Sequence, residues 1–266
     1  MGIDGCRALI TGASAGIGWE FARQLGVRAT ALVLVARRRQ RLEQLRDELA
    51  ALHPKLRVEV HPADLSKPEA IDELLAWIES ENLAIDLLIN NAGLGDLGSF
   101  ATADPQRIDQ IVLVNMAALT QLTRGLLPGM IARKRGAILN VSSSACFLPI
   151  PNFAVYSATK AYVTSLSEAL RSELRGSGIS VTALCPGPVR TEFNEVARRK
   201  PQDDPGREPE IAYVAVEEVV AAALRGIERD RAIVIPGAIM KVGMALVRLT
   251  PMPLLRLAHR FTAKTA

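Results

Sequence analysis

The sequence predicts an α/β fold in which one open, parallel, seven-stranded sheet carries helices on both faces, a doubly wound architecture. Seven short aliphatic or β-branched runs recur along the 266 residues, they alternate with segments of helical periodicity, and 49% of the residues are hydrophobic. Because right-handed crossovers join parallel strands, we expect ligands to bind beyond the carboxyl ends of the strands.

The predicted strands are mostly apolar, as strands buried on both faces are. They are residues 8–10, 31–35, 57–60, 85–89, 137–141, 179–184 and 232–235. Apolar residues spaced three and four apart predict amphipathic helices between the strands, over residues 42–52, 71–78, 163–174 and 216–227.

The whole chain, residues 1–266, is predicted to be one domain, because it contains no internal repeat and no low-complexity linker. Residues 236–266 mix apolar and basic side chains and predict a helical C-terminal extension that is broken at Pro251 and Pro253. A polar, proline-rich stretch at residues 198–209 predicts an exposed connection, and we hypothesise that it closes over a substrate.

Composition argues against several classes of protein. The balance of 32 Lys and Arg against 28 Asp and Glu gives a net charge of +4, too small to indicate a nucleic-acid partner. Cys6, Cys146 and Cys185 form no Cys-x-x-Cys pair, so neither a disulfide framework nor a metal site is predicted. The longest uncharged stretch, residues 136–159, contains two prolines, so no transmembrane helix is predicted. The N-terminus lacks the apolar run of a signal peptide, and we expect a cytoplasmic protein.

A glycine-rich turn follows the first strand and opens a helix, with the spacing Gly-x-x-x-Gly-x-Gly. Glycine lets the backbone approach a pyrophosphate, and the helix N-terminus favours its negative charge. A plain strand-to-helix turn is the alternative interpretation. The predicted cofactor contacts in this turn are Gly12, Ser14, Ala15, Gly16, Ile17 and Gly18.

Arginines follow the second strand, where dinucleotide-binding folds carry either a carboxylate for the adenosine ribose or an arginine for a 2′-phosphate. Because guanidinium binds phosphate through charge-assisted bonds, Arg37, alone or with Arg38, predicts NADP(H) in preference to NAD(H). After the third strand, Asp64 either accepts a bond from the adenine amino group or caps the next helix. Leu65 is a further predicted contact.

A serine, a tyrosine and a lysine are candidates for acid–base chemistry. Tyr156 and Lys160 are four residues apart, so a helix presents both on one face. A cation beside a phenol favours the phenolate and moves the pKa of the tyrosine down from about 10. Ser143 follows the fifth strand, where its hydroxyl can bond a carbonyl oxygen that gains charge.

Taken together, the motifs resemble those of the short-chain dehydrogenase/reductase family. They occur in the family's order: Thr11-Gly-x-x-x-Gly-x-Gly18, Asn90-Asn91-Ala92-Gly93, Val114-Asn115, Ser143, Tyr156-x-x-x-Lys160 and Pro186-Gly187-Pro188-Val189-x-Thr191. The resemblance covers residues 6–195 and implies a Rossmann-like domain and an NAD(P)-dependent oxidoreductase. It also implies a homo-oligomer.

The resemblance also implies roles for individual residues. Tyr156 would donate and accept the proton, and Lys160 would lower its pKa and hold the nicotinamide ribose. Ser143 would position the carbonyl, and Asn115 would keep a proton-relay water. Further cofactor contacts are implied on the adenosine side and at the nicotinamide end: Asn91, Ala92, Gly93, Pro186, Gly187, Val189 and Thr191.

We expect the substrate to be an apolar small molecule with a carbonyl or a secondary alcohol, because the candidate pocket residues are largely apolar: Leu94, Ala145, Cys146, Phe147, Leu148, Phe153 and Phe193. Cys146 departs from the family pattern Ser-Ser-x-Ala-Gly and either lines the substrate entrance or is a buried, inert thiol. Two alternative functions are a regulator that senses NADP(H) without turnover and a peripheral membrane reductase of lipid-derived ketones. For the C-terminal tail, packing on the sheet or on a second subunit is favoured over membrane contact.

Overall fold

The predicted parallel sheet is present in the computed structural model, which describes residues 2–199, 210–251 and 253–255. Its strands are β1 (Arg7–Thr11), β2 (Ala31–Ala36), β3 (Arg57–Pro62), β4 (Leu87–Asn90), β5 (Gly136–Val141), β6 (Ile179–Leu184) and β7 (Ile233–Val234). They pair in the order β3-β2-β1-β4-β5-β6-β7, and every pairing is parallel. The predicted fold class is therefore confirmed.

The helices lie on both faces of this sheet. They are α1 (Gly16–Gly26), α2 (Arg39–Leu52), α3 (Pro68–Ser80), α4 (Pro105–Val112), α5 (Leu119–Ala132), α6 (Ala154–Glu173), α7 (Glu192–Ala197), α8 (Val216–Glu228) and α9 (Ala238–Leu249). A π-helical segment, Leu113–Ala118, joins α4 to α5 without a break. Shorter 3-10 turns cover Phe100–Thr102, Ser144–Phe147 and Glu210–Ala212.

Two apolar layers stabilise the fold, one on each face of the sheet. The first packs α1, α2 and α8 on the strands through buried residues such as Phe21, Leu45 and Val220. The second packs α3 and α5 on the opposite face through Leu74 and Leu122. Burial of one such side chain contributes about 1.5–3 kcal/mol to folding, so these layers fix the sheet as a rigid frame.

The sheet changes its winding direction between β1 and β4. Ile10 of β1 pairs with Leu34 of β2 on one side and with Ile89 of β4 on the other. In open α/β sheets the crevice beyond the carboxyl ends of such a pair of strands is where ligands bind. The chain therefore offers its ligand groove where the loops after β1 and β4 diverge.

The C-terminal tail agrees with its prediction as far as it is described. Helix α9 is the first of the two predicted helices, and residues 253–255 are helical, whereas residues 256–266 lie outside the described residues. Helix α9 packs on the turn Ser144–Phe147, where the Arg248 guanidinium lies 5.5 Å from the ring centroid of Phe147. Its other side exposes four large apolar residues: Ile239, Val242, Leu246 and Leu249.

One helix has the length and composition of a membrane span, although no span was predicted. It is the continuous helix Pro105–Ala132, of 28 residues, with a mean hydropathy of 1.2 over its most apolar window. It carries the core residues Leu122 and Met130, and α5 packs on α3 and on β5. Length and hydropathy alone do not distinguish a core helix from a membrane span.

Candidate active site

The glycine-rich turn after β1 is shaped to receive a phosphate. Gly12 and Gly16 have φ angles of +68° and +54°, which favour glycine over residues with a side chain. Helix α1 starts at Gly16 without a side-chain cap, so its first backbone N–H groups point into the groove. A Cβ atom on Gly18 would collide with the carbonyl oxygen of Gly12. The predicted pyrophosphate-binding geometry is therefore available here.

A threonine and an asparagine hold this turn in place. The Thr11 Oγ1 atom accepts bonds from the backbone N–H groups of Asn91 and Ala92, at 2.9 and 3.0 Å. The Asn91 side chain donates to the carbonyl oxygens of Thr11 and Gly12, at 2.9 and 3.3 Å. Asn91 thus positions the turn from behind, a scaffolding function that the sequence analysis did not assign to it.

Arg38, rather than Arg37, reaches the glycine-rich turn. Its Nε and Nη2 atoms lie 3.3 and 3.2 Å from the hydroxyl oxygen of Ser14, and its Nη1 atom lies 2.9 Å from a carboxylate oxygen of Glu192. Arg37 is exposed, and its positive charge contributes to lowering the pKa of Asp64. Arg38 therefore contacts the glycine-rich turn, whereas the charge of Arg37 acts on Asp64 after β3.

Asp64 lies after β3 and uses one carboxylate oxygen locally. This oxygen accepts from the backbone N–H and the hydroxyl of Ser66, at 3.1 and 2.8 Å. Helix α3 begins at Pro68 without a side-chain cap, so the helix-cap alternative for Asp64 is wrong. Leu65 beside it is buried in the core, and the adenine contact of both residues stays a prediction.

Tyr156, Lys160 and Ser143 come together beyond the carboxyl end of β5. The Lys160 Nζ atom donates to the carbonyl oxygen of Val141 at 2.8 Å and lies 5.5 Å from the ring centroid of Tyr156. The Ser143 hydroxyl lies near enough to the Tyr156 phenol to lower its pKa. The spacing of four residues therefore places the lysine under the phenol, as predicted from one helix face.

Burial controls the protonation of this group. It raises the pKa of Tyr156 to about 12, and the neighbouring Ser143 hydroxyl acts in the opposite direction. It lowers the pKa of Lys160 to about 8. The pKa of Tyr156 thus moves opposite to the predicted direction, because removal of water disfavours the phenolate.

Asn115 enters the site from the π-helical segment. Its Oδ1 atom accepts from the backbone N–H of Leu94 at 2.8 Å, and its Nδ2 atom donates to the Leu94 carbonyl at 2.9 Å and to Thr159 Oγ1 at 3.0 Å. A Cβ atom on Gly93 would lie 3.5 Å from the Lys160 Nζ atom and 3.6 Å from Asn115 Oδ1. Asn115 is thus beside the candidate catalytic group, and its side chain fixes the loop after β4.

The segment after β6 closes the groove on the other side. A Cβ atom on Gly16 would lie 3.0 Å from the Cγ2 atom of Thr191, so the predicted nicotinamide motif faces the glycine-rich turn. Val189 is buried, and a Cβ atom on Gly187 would lie 2.9 Å from Met240 of α9. Pro186 accepts from the backbone N–H of Ser144 at 2.8 Å. The predicted nicotinamide motif therefore lies against the glycine-rich turn through Thr191 and Gly16.

Comparison with known proteins agrees with this geometry. A family model described as short chain dehydrogenase matches residues 7–202. The chain belongs to the short-chain dehydrogenase family. The resemblance inferred from the motifs and the predicted class of NAD(P)-dependent oxidoreductase are both confirmed.

Similar proteins include both sequence relatives and solved structures. The NADP-dependent 3-hydroxy acid dehydrogenase YdfG of Salmonella typhi is 34% identical over 81% of this chain and 86% of its own. A short-chain dehydrogenase from Sphingobium yanoikuyae, solved in complex with NADPH, is 36% identical with a TM-score of 0.79 and covers 86% of this chain and 87% of its own. The bulky-bulky ketone specific alcohol dehydrogenase from Comamonas testosteroni is 33% identical, with a TM-score of 0.77 over 92% of both chains.

Aromatic side chains pack against Tyr156, the candidate catalytic tyrosine of this short-chain dehydrogenase. The Tyr156 ring stacks on Phe153 with 4.3 Å between centroids, and Phe193 of α7 lies at 5.3 Å. A Cβ atom on Gly95 would lie 2.9 Å from Phe193 and 3.2 Å from Phe153, so the loop after β4 touches both rings. Phe153 and Phe193 thus form an apolar wall beside Tyr156, as predicted for these two residues.

Two arginines that the sequence analysis did not single out tie this wall together. Arg107 of α4 donates to the carbonyl oxygen of Gly95 at 2.8 Å and to that of Val196 at 3.3 Å. Arg199 pairs with Asp96, with one bond at 2.8 Å, and donates to the Ser99 carbonyl at 2.9 Å. Because Arg199 is 103 residues from Asp96 in sequence, no local pattern could have indicated their pairing.

The predicted closing loop and the question of a metal site are the two remaining points. Most of the hypothesised closing loop, residues 200–209, lies outside the described residues, although Arg198 forms an isolated bridge with Leu97 at its start. Across the described part of the chain, no group of three or more His, Cys, Asp or Glu side chains could hold a metal ion.

Proposed function

We propose that the protein transfers hydride between NADP(H) and the carbonyl or secondary alcohol carbon of an apolar small molecule, with Tyr156 as the general acid and base. The observation that carries this proposal is the buried Tyr156 side chain, whose ring centroid lies 5.5 Å from the Lys160 Nζ atom and whose pKa the neighbouring Ser143 hydroxyl lowers. When bound, the nicotinamide supplies or accepts the hydride. The uncapped start of α1 and the close glycine contacts around Gly18 fit a dinucleotide phosphate.

In the reduction direction, the site holds a proton where a carbonyl oxygen needs it. A pKa of about 12 keeps the Tyr156 phenol protonated at neutral pH, so it can donate to that oxygen. The Ser143 hydroxyl is in position to bond the same oxygen as its negative charge grows. The Lys160 ammonium, fixed by its bond to Val141, then stabilises the phenolate that is left behind.

We propose that NADP(H) is preferred over NAD(H) because Arg38 and Ser14 form a ready anion site beside the glycine-rich turn. The guanidinium and the hydroxyl are already hydrogen-bonded, so both donors converge where a 2′-phosphate would bind. Support comes from the Sphingobium structure, which contains NADPH, and from the Salmonella relative, which is named as NADP-dependent. Glu192 pairs with Arg38 and would have to share it with the phosphate.

Replacing Arg38 with alanine is expected to weaken NADPH binding by about tenfold to a hundredfold, the effect of one charged hydrogen-bonding partner. Affinity for NADH, which lacks the 2′-phosphate, is expected to change little. The measurement is the Kd of each dinucleotide by fluorescence titration. Arg37→Ala is the matched comparison, since it removes the same charge from the exposed neighbouring position. Equal losses in both variants, or equal losses for both dinucleotides, would contradict the assignment to Arg38.

The apolar wall supports an apolar substrate. Phe153 and Phe193 lie against the proton donor, while the charges of the nearby Asp96 and Arg199 neutralise each other. Further support comes from the Comamonas structure, whose enzyme is named as specific for bulky-bulky ketones. The named activity of the Salmonella relative favours a carboxylate-bearing substrate instead, and the two substrate classes can be compared directly.

The test is a substrate panel with NADPH, monitored by nicotinamide absorbance. Ketones with two bulky apolar groups are paired with 3-oxo acids of equal carbon number. We expect kcat/KM to be at least about tenfold higher for the ketones, because burying an unpaired carboxylate on an apolar wall costs free energy. Higher kcat/KM for the acids would contradict the substrate proposal. A panel of varied carbonyls and alcohols without any turnover would instead favour the NADP(H)-sensing regulator.

A further inference from the structure

Two free thiols lie together next to the proposed catalytic residues. Cys146 belongs to the turn Ser144–Phe147, directly after Ser143, and Cys185 follows β6. Their Sγ atoms are 3.9 Å apart although the residues are separated by 39 positions in sequence. The parallel pairing of β5 and β6 explains the approach, since it continues past the strand ends in the bond from the Ser144 N–H to the Pro186 carbonyl. The pair is therefore fixed by the central sheet.

The two sulfurs differ in access to solvent. Cys146 is half-buried and can meet a small reagent, whereas Cys185 is completely buried behind it. Cys185 also contacts the Thr164 hydroxyl at 3.9 Å, and Thr164 bonds to the Ser142 hydroxyl at 2.7 Å. A half-buried, accessible thiol next to a fully buried thiol is the arrangement of an attacking and a resolving cysteine.

The local electrostatics favour reaction at Cys146. The hydrogen bond from Cys185 lowers the pKa of the Cys146 thiol, and it raises the pKa of Cys185 together with burial. Negative charge on either sulfur also raises the pKa of Lys160, so the ammonium and a thiolate stabilise each other. Because the thiolate is the reactive form of cysteine, Cys146 is the one prepared to attack.

We propose that Cys146 and Cys185 form a reversible disulfide when a hydroperoxide oxidises the protein, and that this bond inactivates the adjacent site. The Cys146 thiolate attacks hydrogen peroxide, forms a sulfenic acid and releases hydroxide. The Cys185 thiol then displaces the sulfenic oxygen as water, and the S–S bond forms. Overall, two thiols lose two electrons and two protons, and the peroxide is reduced to two molecules of water.

Formation of the Cys146–Cys185 disulfide would displace Ser143. The sulfurs must approach from 3.9 Å to about 2 Å, which requires the turn of Cys146 to move towards β6. The Cys146 N–H donates to the Ser143 carbonyl at 3.1 Å, and the Ala145 N–H donates to the Ser143 hydroxyl at 3.1 Å. Displacement of the turn therefore displaces the hydroxyl that faces Tyr156, a step that rests on the proposed function.

The experiment treats the full chain with hydrogen peroxide and follows two independent readouts. Mass spectrometry after alkylation of free thiols in denaturant tests the bond itself, which lowers the mass by two hydrogen atoms. Cys6 serves as an internal control, because it is fully buried and burial raises its pKa to about 11. NADPH-dependent turnover tests the effect on the site. We expect a Cys146–Cys185 peptide, an alkylated Cys6, and turnover reduced about a hundredfold, as for loss of one oxyanion donor, with recovery after dithiothreitol.

Two variants, each compared with its own untreated sample, separate the roles of the thiols. Cys185→Ser is expected to accumulate sulfinic acid at Cys146 that dithiothreitol does not reverse, and Cys146→Ser is expected to resist peroxide. Absence of the Cys146–Cys185 peptide in the treated wild type would overturn the proposal, as would full turnover by the quantitatively cross-linked protein. If untreated protein shows no turnover, the proposed function fails, and the mass readout still decides whether the disulfide forms.

Discussion

Replacing Tyr156 with phenylalanine is expected to lower kcat for carbonyl reduction by about 10²–10⁴-fold, the usual contribution of a positioned general acid. The variant loses the hydroxyl beside Ser143 but keeps the ring that stacks on Phe153 at 4.3 Å. We therefore expect KM for the substrate and the melting temperature to change little. Initial rates with the best ketone of the panel, together with thermal unfolding, provide the measurement.

Tyr162 offers a matched control on the same helix. Its hydroxyl bonds to Thr120 Oγ1 at 2.8 Å, outside the group formed by Ser143 and Lys160. Tyr162→Phe removes an identical atom, and we expect kcat to stay within about threefold of the wild-type value. Full turnover by Tyr156→Phe, with Tyr162→Phe equally active, would exclude the phenol as the proton donor.

The pKa of this tyrosine shows what spacing can and cannot predict. A separation of four residues on one helix face correctly places Lys160 under the Tyr156 ring. The direction of the pKa shift depends on how completely Phe153 and Phe193 exclude water from the phenol, and those contacts come from the N-cap of α6 and from α7. Phe153 is local to Tyr156, but the burial contributed by α7 leaves no local signal in the sequence.

The fold was predictable for a physical reason. Strands β2, β4, β5 and β6 are buried along their whole length, so each is a largely apolar run that stands out between amphipathic helices. The π-helical segment at Asn115 is different, because its extra residue per turn reflects tertiary contacts with Leu94 and Thr159.

The sequence also does not show which of Arg37 and Arg38 faces the glycine-rich turn. Both arginines follow β2, and composition alone favours a phosphate-binding guanidinium at this point. Which of two adjacent side chains faces the glycine-rich turn depends on how the backbone leaves the strand, and Arg38 is at the start of α2 with φ −83° and ψ 88°. Its partners Ser14 and Glu192 come from separate parts of the chain.

Substituting alanine for Gly18 is expected to destabilise the protein and abolish its stabilisation by NADPH. Alanine normally stabilises an exposed helix position by about 0.5–1 kcal/mol relative to glycine. At Gly18 of α1, however, the added Cβ would overlap the carbonyl oxygen of Gly12 and lie 2.5 Å from Asn91 Nδ2. These groups form the frame of the turn, so they can move only by distorting it. We expect the free energy of unfolding to fall by about 1–3 kcal/mol, the usual cost of overpacking.

Gly243 of α9 provides the control for this expectation, because a Cβ atom placed there meets nothing within 4 Å. Gly243→Ala is expected to leave the melting temperature unchanged or to raise it slightly, in keeping with ordinary helix propensity. Thermal unfolding of both variants with and without NADPH gives the measurement, since a ligand that binds the folded state raises the melting temperature. The expectation fails if Gly18→Ala melts at the wild-type temperature and NADPH raises that temperature as much as it does for the wild type. The turn would then accommodate the extra methyl group. The tight contact between α1, Gly12 and Asn91 would not be what shapes the phosphate site.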